Sequence, residues 1–488
     1  ALPVCVAESD LPFVTLDWYT DQLEMDDCQM VNDAINGYLR DTINASVNIH
    51  YWGSSYADKI STMISSGMDT GIMNFGGLNY LIQAQRGAFY PLDDMLDALA
   101  PDVKALFSDS VWDCMRVNGH IYGIPSLKDN GYFVSLIYNA DMLDELGLNI
   151  DDYSFKNTRE LEELGYKVKE LRDANEKYAE FRDYPVYGAV GGIYPYAFAF
   201  ETFFSNMFFA VCNIDGINDI ANVDCETVVD LYETPEFLEY CLQNQRMVED
   251  GIYDYDYANK NERNYSGGIF GQLGWGYTYM PEHLFGDAYT TKMKMIDHMW
   301  TDTNNFHSGG TTISAHCAEP ERAMAVLNLA NTDSKFATML RFGIEGTHYA
   351  YDDEGKMTFE GTVNSDPANR RYYYWYMASM GNLTIVNAPE SLTGPDNIML
   401  RNMVEYNKSC LTGNHMGFIV DTRPITNEVA ACSSVVSEYQ SDLVNGHCAS
   451  QDEVREVLDE FVEKLKANGV ETIVAEVQRQ LDAWKAAR

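Results

Sequence analysis

Carboxylates and phenols are the chain's main chemical equipment: 74 Asp and Glu residues and 33 tyrosines. With so many acids, a pair set for general acid and base work can always be assembled by chance, so a glycoside-hydrolysing reading gains no specific support from their number. Asp352-Asp353-Glu354-Gly355 invites a calcium-loop reading, but it lacks the spaced ligands and distal Glu of such a loop and is better read as a hairpin turn between Ala350 and Thr358. Asp254 and Asp256, interleaved with tyrosines, are no stronger. The strained-turn serine motif G-x-S-x-G, the phosphate loop G-x-x-x-x-G-K-[ST], the zinc helix H-E-x-x-H and the dinucleotide fingerprint G-x-G-x-x-G are all absent from the sequence. The ten cysteines contain no C-x-x-C pair, which speaks against a zinc site or thiol redox centre. Cys212 with Cys225, or Cys432 with Cys448, could bridge outside a cell, and buried free thiols are the equal alternative. The expectation is a protein with no catalytic residue, no metal and no cofactor. Aromatic residues make up 13% of the chain, and Tyr outnumbers Phe, 33 to 22. Rings with a polar handle suit a half-wet surface and a polar ligand with apolar faces.

Those side chains must be held by more than one core. A chain of 488 residues with 46% hydrophobic content implies two to four domains. Its net charge of -41 repels phosphate backbones and anionic headgroups, which argues against nucleic acid and membrane surfaces as partners. The most apolar stretch, Tyr196 to Cys212, is interrupted by Glu201, Ser205 and Asn206, falls short of a membrane span, and reads as a buried helix.

The elements alternate. Phe13 to Leu16 reads as strand, followed by a helix whose Met30, Ala34, Ile35 and Tyr38 share a face; Val47 to Tyr51 is a second strand; Tyr56, Ile60, Met63 and Ile64 mark a helix stopped at Gly67; and a third strand lies near Gly71 to Phe75. This order predicts a parallel sheet with helices on its faces. Asn118-Gly119 signals a hairpin between Trp112 to Val117 and His120 to Ile124, and Val134 to Tyr138 reads as another buried strand. Residues 159 to 182 carry an apolar stripe at helical spacing, which is core packing. Ser450 and Glu453 form a capping box before a helix ended by Asn468-Gly469, and a last helix runs from about Glu471 to Trp484. There is no internal repeat, low-complexity tract or long linker, so the domains should be joined by crossings within the fold.

Residues 112 to 147, and Ser135-Leu136-Ile137-Tyr138-Asn139 above all, resemble the signature stretch of family 1 extracellular solute-binding proteins of ABC importers, the maltose-binding-protein-like family. Gly87 to Asp94, the strand Thr311 to Ser314 and the helical run Pro320 to Asn331 support the resemblance. From Gly343-Ile344-Glu345-Gly346 onward, with Gly417 to Asp421 and Glu476 to Trp484, the chain is similar to a long subgroup of Gram-positive lipoproteins with a C-terminal helical extension.

The resemblance implies an α/β, periplasmic-binding-protein type II fold: two lobes joined by strand crossings, a hinge, and a ligand cleft. Crossings are expected at Lys128 to Gly131, near Trp300 to Phe306 and near Phe342 to Tyr351. They assign residues 11–129 and 305–345 to the N-lobe, and 130–304 and 346–488 to the C-lobe with its extension. Ligands of such sheets sit beyond the carboxyl ends of the strands. That rule nominates Trp18 and Tyr19, Trp52, Phe75 and Asn79, and the crossing residues Lys128, Asp129 and Asn130. By the resemblance, Tyr194 and Tyr196 occupy the place of a sugar-stacking Tyr, and Trp275 with Tyr277 that of a stacking Trp; Trp375 and Asn382 are further candidates. The expected function is capture of a sugar or oligosaccharide for delivery to the membrane permease subunits of an importer, by a monomer lipid-anchored on the outer face of a Gram-positive cell. Rival cargoes in the same fold are a peptide, an amino-acid derivative or a cationic small molecule; a glycoside-degrading enzyme and a non-transporting adhesion protein stand further off. Met73-Asn74-Phe75-Gly76-Gly77 carries no Trp where many relatives place one, which leaves the identity of the sugar open.

Overall fold

The computed structural model describes residues 11–131, 134–155, 158–189, 200–204, 207–217, 220–254, 270–275, 289–295, 299–375 and 380–488. Along the first 130 residues come β1 (Val14–Thr20), α1 (Cys28–Ile43), β2 (Ala45–Tyr51), α2 (Tyr56–Ser65), β3 (Ile72–Asn74) and β4 (Gly123–Pro125). Next are β5 (Val134–Asn139), α3 (Thr158–Ala174), β6 (Tyr187–Ala189), β7 (Phe200–Phe204), β8 (Met207–Asn213), α4 (Pro235–Glu249), β9 (Tyr253–Asp254), β10 (Gly271–Trp275) and β11 (Thr291–Met295). Then follow β12 (Gly310–Ile313), α5 (Pro320–Thr332), α6 (Ser334–Phe342), α7 (Thr426–Val444), α8 (Gln451–Ala467) and α9 (Val470–Ala486). The chain divides into two compact units, residues 1–130 with 305–405, and residues 131–304 with 406–488.

The first unit is built on a five-stranded sheet ordered β2-β1-β3-β12-β4. β1 runs parallel to β2 and β3, while β12 lies antiparallel to β3 and β4, so the carboxyl ends of β1, β2, β3 and β4 share one edge. α1 packs along β2 and buries Val31, Ile35, Leu39 and Ile43. The stripe is therefore turned from the expected one, with Met30 48% exposed. The outer edge of β2 is closed by Asn36 of α1, which accepts from the Val47 amide at 2.7 Å and donates to its carbonyl at 3.0 Å, covering a backbone pair that would otherwise invite another strand. The Asn118-Gly119 hairpin forms, but its first arm is only Arg116–Val117, because Asp109–Cys114 is helical. The Asp352 turn forms as a hairpin pairing Ala350 with Thr358, its side chain accepting from the Glu354 and Lys356 amides.

Residues 346–405 belong to the first unit, a correction to the expected third crossing near Phe342 to Tyr351. The reason is a buried polar pin. Asp27, at the head of α1, accepts two bonds from the Arg371 guanidinium at 2.8 and 2.6 Å and one from His348 at 3.2 Å, and its own amide donates to the Arg371 carbonyl. Tyr372 and Tyr374 add hydroxyl bonds to the Leu340 and Leu23 carbonyls.

The second unit carries a sheet ordered β9-β6-β10-β5-β11, in which β6 is parallel to β9 and β10, and β5 is antiparallel to β10 and β11. Where a buried helix was expected over Tyr196 to Cys212, β7 and β8 form an antiparallel hairpin. Phe200-Glu201-Thr202-Phe203-Phe204 is aromatic and β-branched, and such a run favours strand over helix once it meets a partner of like composition. The stripe over 159 to 182 is also broken: α3 ends at Ala174, and a 3-10 turn, Glu176–Phe181, follows behind the Asn175 cap. α7, α8 and α9 pack on α4 and β8, and Val454, Phe461, Ile473 and Leu481 lie in one continuous core with Leu136, Phe237 and Tyr240. α8 starts as expected, with Ser450 accepting from the Glu453 amide and the Glu453 carboxylate reaching back to the Ala449 amide.

Candidate functional site

The carboxyl edge of the first unit's sheet is where sequence order and topology bring polar groups together. Following the sheet order, β2 delivers Trp52, β1 delivers Asp21 and Gln22, β3 ends in Asn74 before Gly76 and Gly77, β12 is entered through Ser308 and Gly309, and β4 leads into Ser126 to Asp129. These termini are tied across the edge by backbone bonds: Trp52 to the Thr20 carbonyl at 3.1 Å, Gly53 to Gln22 at 3.0 Å, Phe75 to Gly310 at 3.1 Å and Ser126 to Gly309 at 3.2 Å.

Above those ties lies a side-chain network. The Asn74 amide donates to the Thr20 hydroxyl and to the Asp21 carboxylate, each at 3.0 Å, and the Gln22 amide donates to the same Asp21 oxygen at 3.0 Å. Asp21 itself is exposed. The Asn74 amide oxygen and the Ser126 hydroxyl are buried and make no hydrogen bond in the structure. Groups of that kind cost stability unless something pairs with them. Leu23, 72% exposed, follows on the same loop. Aliphatic surface beside fixed acceptors and donors is what a pyranose needs: hydroxyls to bond, C–H faces to cover.

The expected residues separate into groups. Lys128 and Asp129 lie on this edge as an ion pair at 3.2 Å, Asp129 buried and Lys128 and Asn130 half-buried. Trp52 is half-buried, with Lys59 held over its ring at 5.1 Å and Tyr19 beside it at 4.7 Å; Tyr19 in turn stacks on His50 at 4.4 Å. Burial first, then the charges of Asp17 and Asp69, push the Tyr19 phenol up. Trp18 is core, fully buried in register with Ile49. Phe75 is core as well, 4.9 Å from the Tyr80 ring and filling the space left by the absent side chains of Gly123 and Gly310. Asn79 spends its carboxamide oxygen on the Ile82 amide, capping a short helix. Trp375 stacks on Phe342 at 5.8 Å. Asn382 is buried, donating to the Asn331 carbonyl and accepting from Thr384. Trp275 ends β10 opposite Val134, and Tyr194, Tyr196 and Tyr277 lie outside the described residues.

Asp21, Gln22, Asn74 and Ser126 were not foreseen. The signal was available in principle: each is a polar residue at or just past a strand's carboxyl end, whereas selection by aromatic type picked rings that the sheet buries.

Cys212, Cys225, Cys432 and Cys448 are free thiols, so neither candidate bridge is formed. Cys432 instead donates to the Leu465 and Asn468 carbonyls. Among the described residues no group of His, Cys, Asp and Glu is arranged to hold a metal ion, and no helix is long and apolar enough to cross a membrane.

Comparison with known proteins gives three findings. The profile of the domain of unknown function DUF3502 matches residues 414–486. A carbohydrate ABC transporter substrate-binding protein of Streptococcus pneumoniae serotype 4 (strain ATCC BAA-334 / TIGR4) is 23% identical over 464 residues, covering 92% of this chain and 86% of that protein. Among solved structures, the N-glycan transport solute binding protein NgtS of Streptococcus pneumoniae matches with a TM-score of 0.75 at 21% identity, over 97% of this chain and 99% of its own. It has also been crystallised with Man5GlcNAc. The alginate-binding protein AlgQ2 matches at 0.60 and 16% identity, over 97% and 99% of the two chains. The fold is thus that of the two-lobed solute-binding proteins.

Proposed function

We infer that this chain is the substrate-binding protein of a carbohydrate ABC importer, and that it captures an oligosaccharide and passes it to membrane permease subunits. The observation that carries the reading is the stitched polar edge of the first unit, where Asp21, Gln22, Asn74 and Ser126 gather at strand ends in a fold shared from end to end with sugar-binding proteins. Hydroxyl groups both donate and accept, so a sugar can pair with the buried Asn74 oxygen and the Ser126 hydroxyl together. The two compact units act as the lobes, and binding requires no bond to break. A protein with this role works outside the cytoplasmic membrane, as a monomer held there by a lipid anchor. Of the rival cargoes, a cationic small molecule is the one that an acidic edge could also attract.

A thermal-shift screen of the purified chain tests this, because a ligand that binds only the folded state raises the melting temperature. The panel contains mono- and oligosaccharides, amino acids, peptides and polyamines, with each glycan checked for hydrolysis. A rise with an intact glycan is expected. A response confined to polyamines or peptides, or turnover of the glycan, overturns the reading.

A further inference from the structure

We propose that Glu201 and Thr202 of β7 are positioning residues that anchor two of the chain's three passages between the units, and so limit how far the units swing. The proposal stands on the two-unit fold and not on the identity of the cargo.

The chain passes from one unit to the other after Asn130, Asn304 and Glu405. The second passage starts in a short helix, Thr303–His307, and the third lies within a longer one, Ile398–Ser409. Helical segments transmit a rotation, and the bending falls to the few residues at their ends. In the second unit those ends meet. Trp300–Thr301, just ahead of the one helix, pairs in parallel with Leu411–Thr412, just behind the other. The Leu411 amide donates to the Met299 carbonyl at 2.9 Å and the Gly413 amide to the Thr301 carbonyl at 2.8 Å, so the two feet form one ribbon.

A ribbon of two residues a side has little hold of its own. What fixes it is β7. The Thr202 amide donates to the Asp302 carboxylate at 3.2 Å, and the Asn304 carboxamide donates to the Thr202 carbonyl. Glu201 takes the other foot: one carboxylate oxygen accepts from the His415 amide at 2.8 Å, and the other lies 2.6 Å from His415 Nδ1. Gly413 makes room for that carboxylate, because a Cβ there would collide with it. The Gly417 amide closes the set by donating to Thr303 Oγ1 at 3.0 Å, joining the two feet a second time. Glu201, Thr202, Asp302, Thr303 and His415 are all buried. Hydrogen bonds to a buried carboxylate are stronger than neutral ones, and breaking them leaves a charge without its partner. On either side of Glu201 and Thr202, Phe200 and Phe204 enter the core that holds Phe237 and Phe461, so the anchor is as firm as the second unit itself.

The experiment compares the ligand-free full chain with Glu201→Gln and Asn304→Ala by hydrogen–deuterium exchange and small-angle X-ray scattering. Glu201→Gln keeps the shape and an acceptor but drops the charge, and Asn304→Ala removes a donor at the other foot. In both, amides of 299–304 and 411–417 should exchange at least about tenfold faster and the interatomic distance distribution should broaden at its long end, while α4 and α8 keep their protection. A merely local role would speed the exchange and leave the scattering as it was, which overturns the proposal. Exchange unchanged in both variants overturns it as well. If Glu201→Gln also strips protection from α4 and α8, Asn304→Ala decides alone: broadened scattering upholds the anchor, and scattering like that of the unaltered chain overturns it.

Discussion

His415 is 2% exposed in the second unit, with Nδ1 2.6 Å from one oxygen of the buried Glu201, Nε2 3.5 Å from Glu226, and its own amide donating to the other Glu201 oxygen at 2.8 Å. Lys485 of α9 reaches Glu226 from the far side. Burial alone would push the imidazole down, but the Glu201 bond and charge, then those of Glu226, outweigh it and hold the pKa above the usual histidine value. A group raised in the folded state stabilises fully below its unfolded pKa and loses that contribution as pH climbs through its folded one. Asp230 adds the same sign: burial pushes it up to about 7, and one of its oxygens is buried without a partner, as suits a protonated carboxyl. Stability of the second unit should therefore fall as pH rises from about 4, first through Asp230 up to about 7 and then through His415 above the usual histidine value, by roughly 2–4 °C in midpoint per kcal/mol lost. His415→Gln should flatten the upper part of that slope and Asp230→Asn the lower, read by thermal denaturation across pH. A slope unchanged in both variants would contradict the assignment. In the first unit the sign is opposite at Asp27, where the Arg371 hydrogen bonds outweigh burial and hold the carboxyl below its usual range. Its contribution is present above about pH 4 and lost in acid. Asp27→Ala should cost roughly 2 kcal/mol at neutral pH, measured by urea unfolding.

At the scale of elements, strand spacing is set by one close approach. Gly71, just before β3, has φ 52°, and a Cβ there would collide with the Asp17 carbonyl of β1. Gly71→Ala should therefore destabilise the first unit by roughly 3 kcal/mol, combining left-handed strain with overpacking, and a loss under 1 kcal/mol in denaturant titration would show that the strand can retreat. Elements of this unit were legible because β1, α1, β2, α2 and β3 change hydrophobic period with each turn of the chain. What stayed hidden was rotation about the axis. Met30 and Tyr38 fit a helical stripe as well as Val31, Ile35, Leu39 and Ile43 do, and only packing along β2 selects the second set. Trp18 and Tyr19 look alike as ligand aromatics, yet packing buries both sides of β1 there, Trp18 completely and Tyr19 to 7% exposure. The hairpin at Phe200 to Asn213 was read as a helix because a continuous apolar run carries no period, and its strand character needed the partner strand to be seen. The polar edge was missed for a related reason: Asp21 and Asn74 sit 53 residues apart and meet only when β1 lies beside β3.

For the molecule as a whole, the decisive relation is between the profile match at residues 414–486 and the second unit's core. A domain in sequence need not be a domain in packing. α7, α8 and α9 turn Cys432, Leu443, Val454, Phe461, Ile473, Val477 and Leu481 into the same cluster that holds Leu136, Tyr187, Phe237 and Tyr240. The Phe461 ring lies 4.9 Å from Tyr232, the Asn244 amide bonds the Val444 carbonyl at 2.7 Å, and Gln478 accepts from the Val228 amide at 2.8 Å. Removing the segment would expose α4 and β8 and leave those buried amides unpaired, a loss no single side chain can offset. A chain ending at residue 413 should therefore lose cooperative unfolding of its second unit and aggregate, whereas the three helices supplied as a separate polypeptide should restore a soluble complex with the melting profile of the intact chain. Calorimetry of the truncated and reconstituted forms reads both outcomes. A truncated chain that still unfolds in one sharp transition at the intact midpoint would mean that the extension is an appendage, and that the second unit carries a core complete without it.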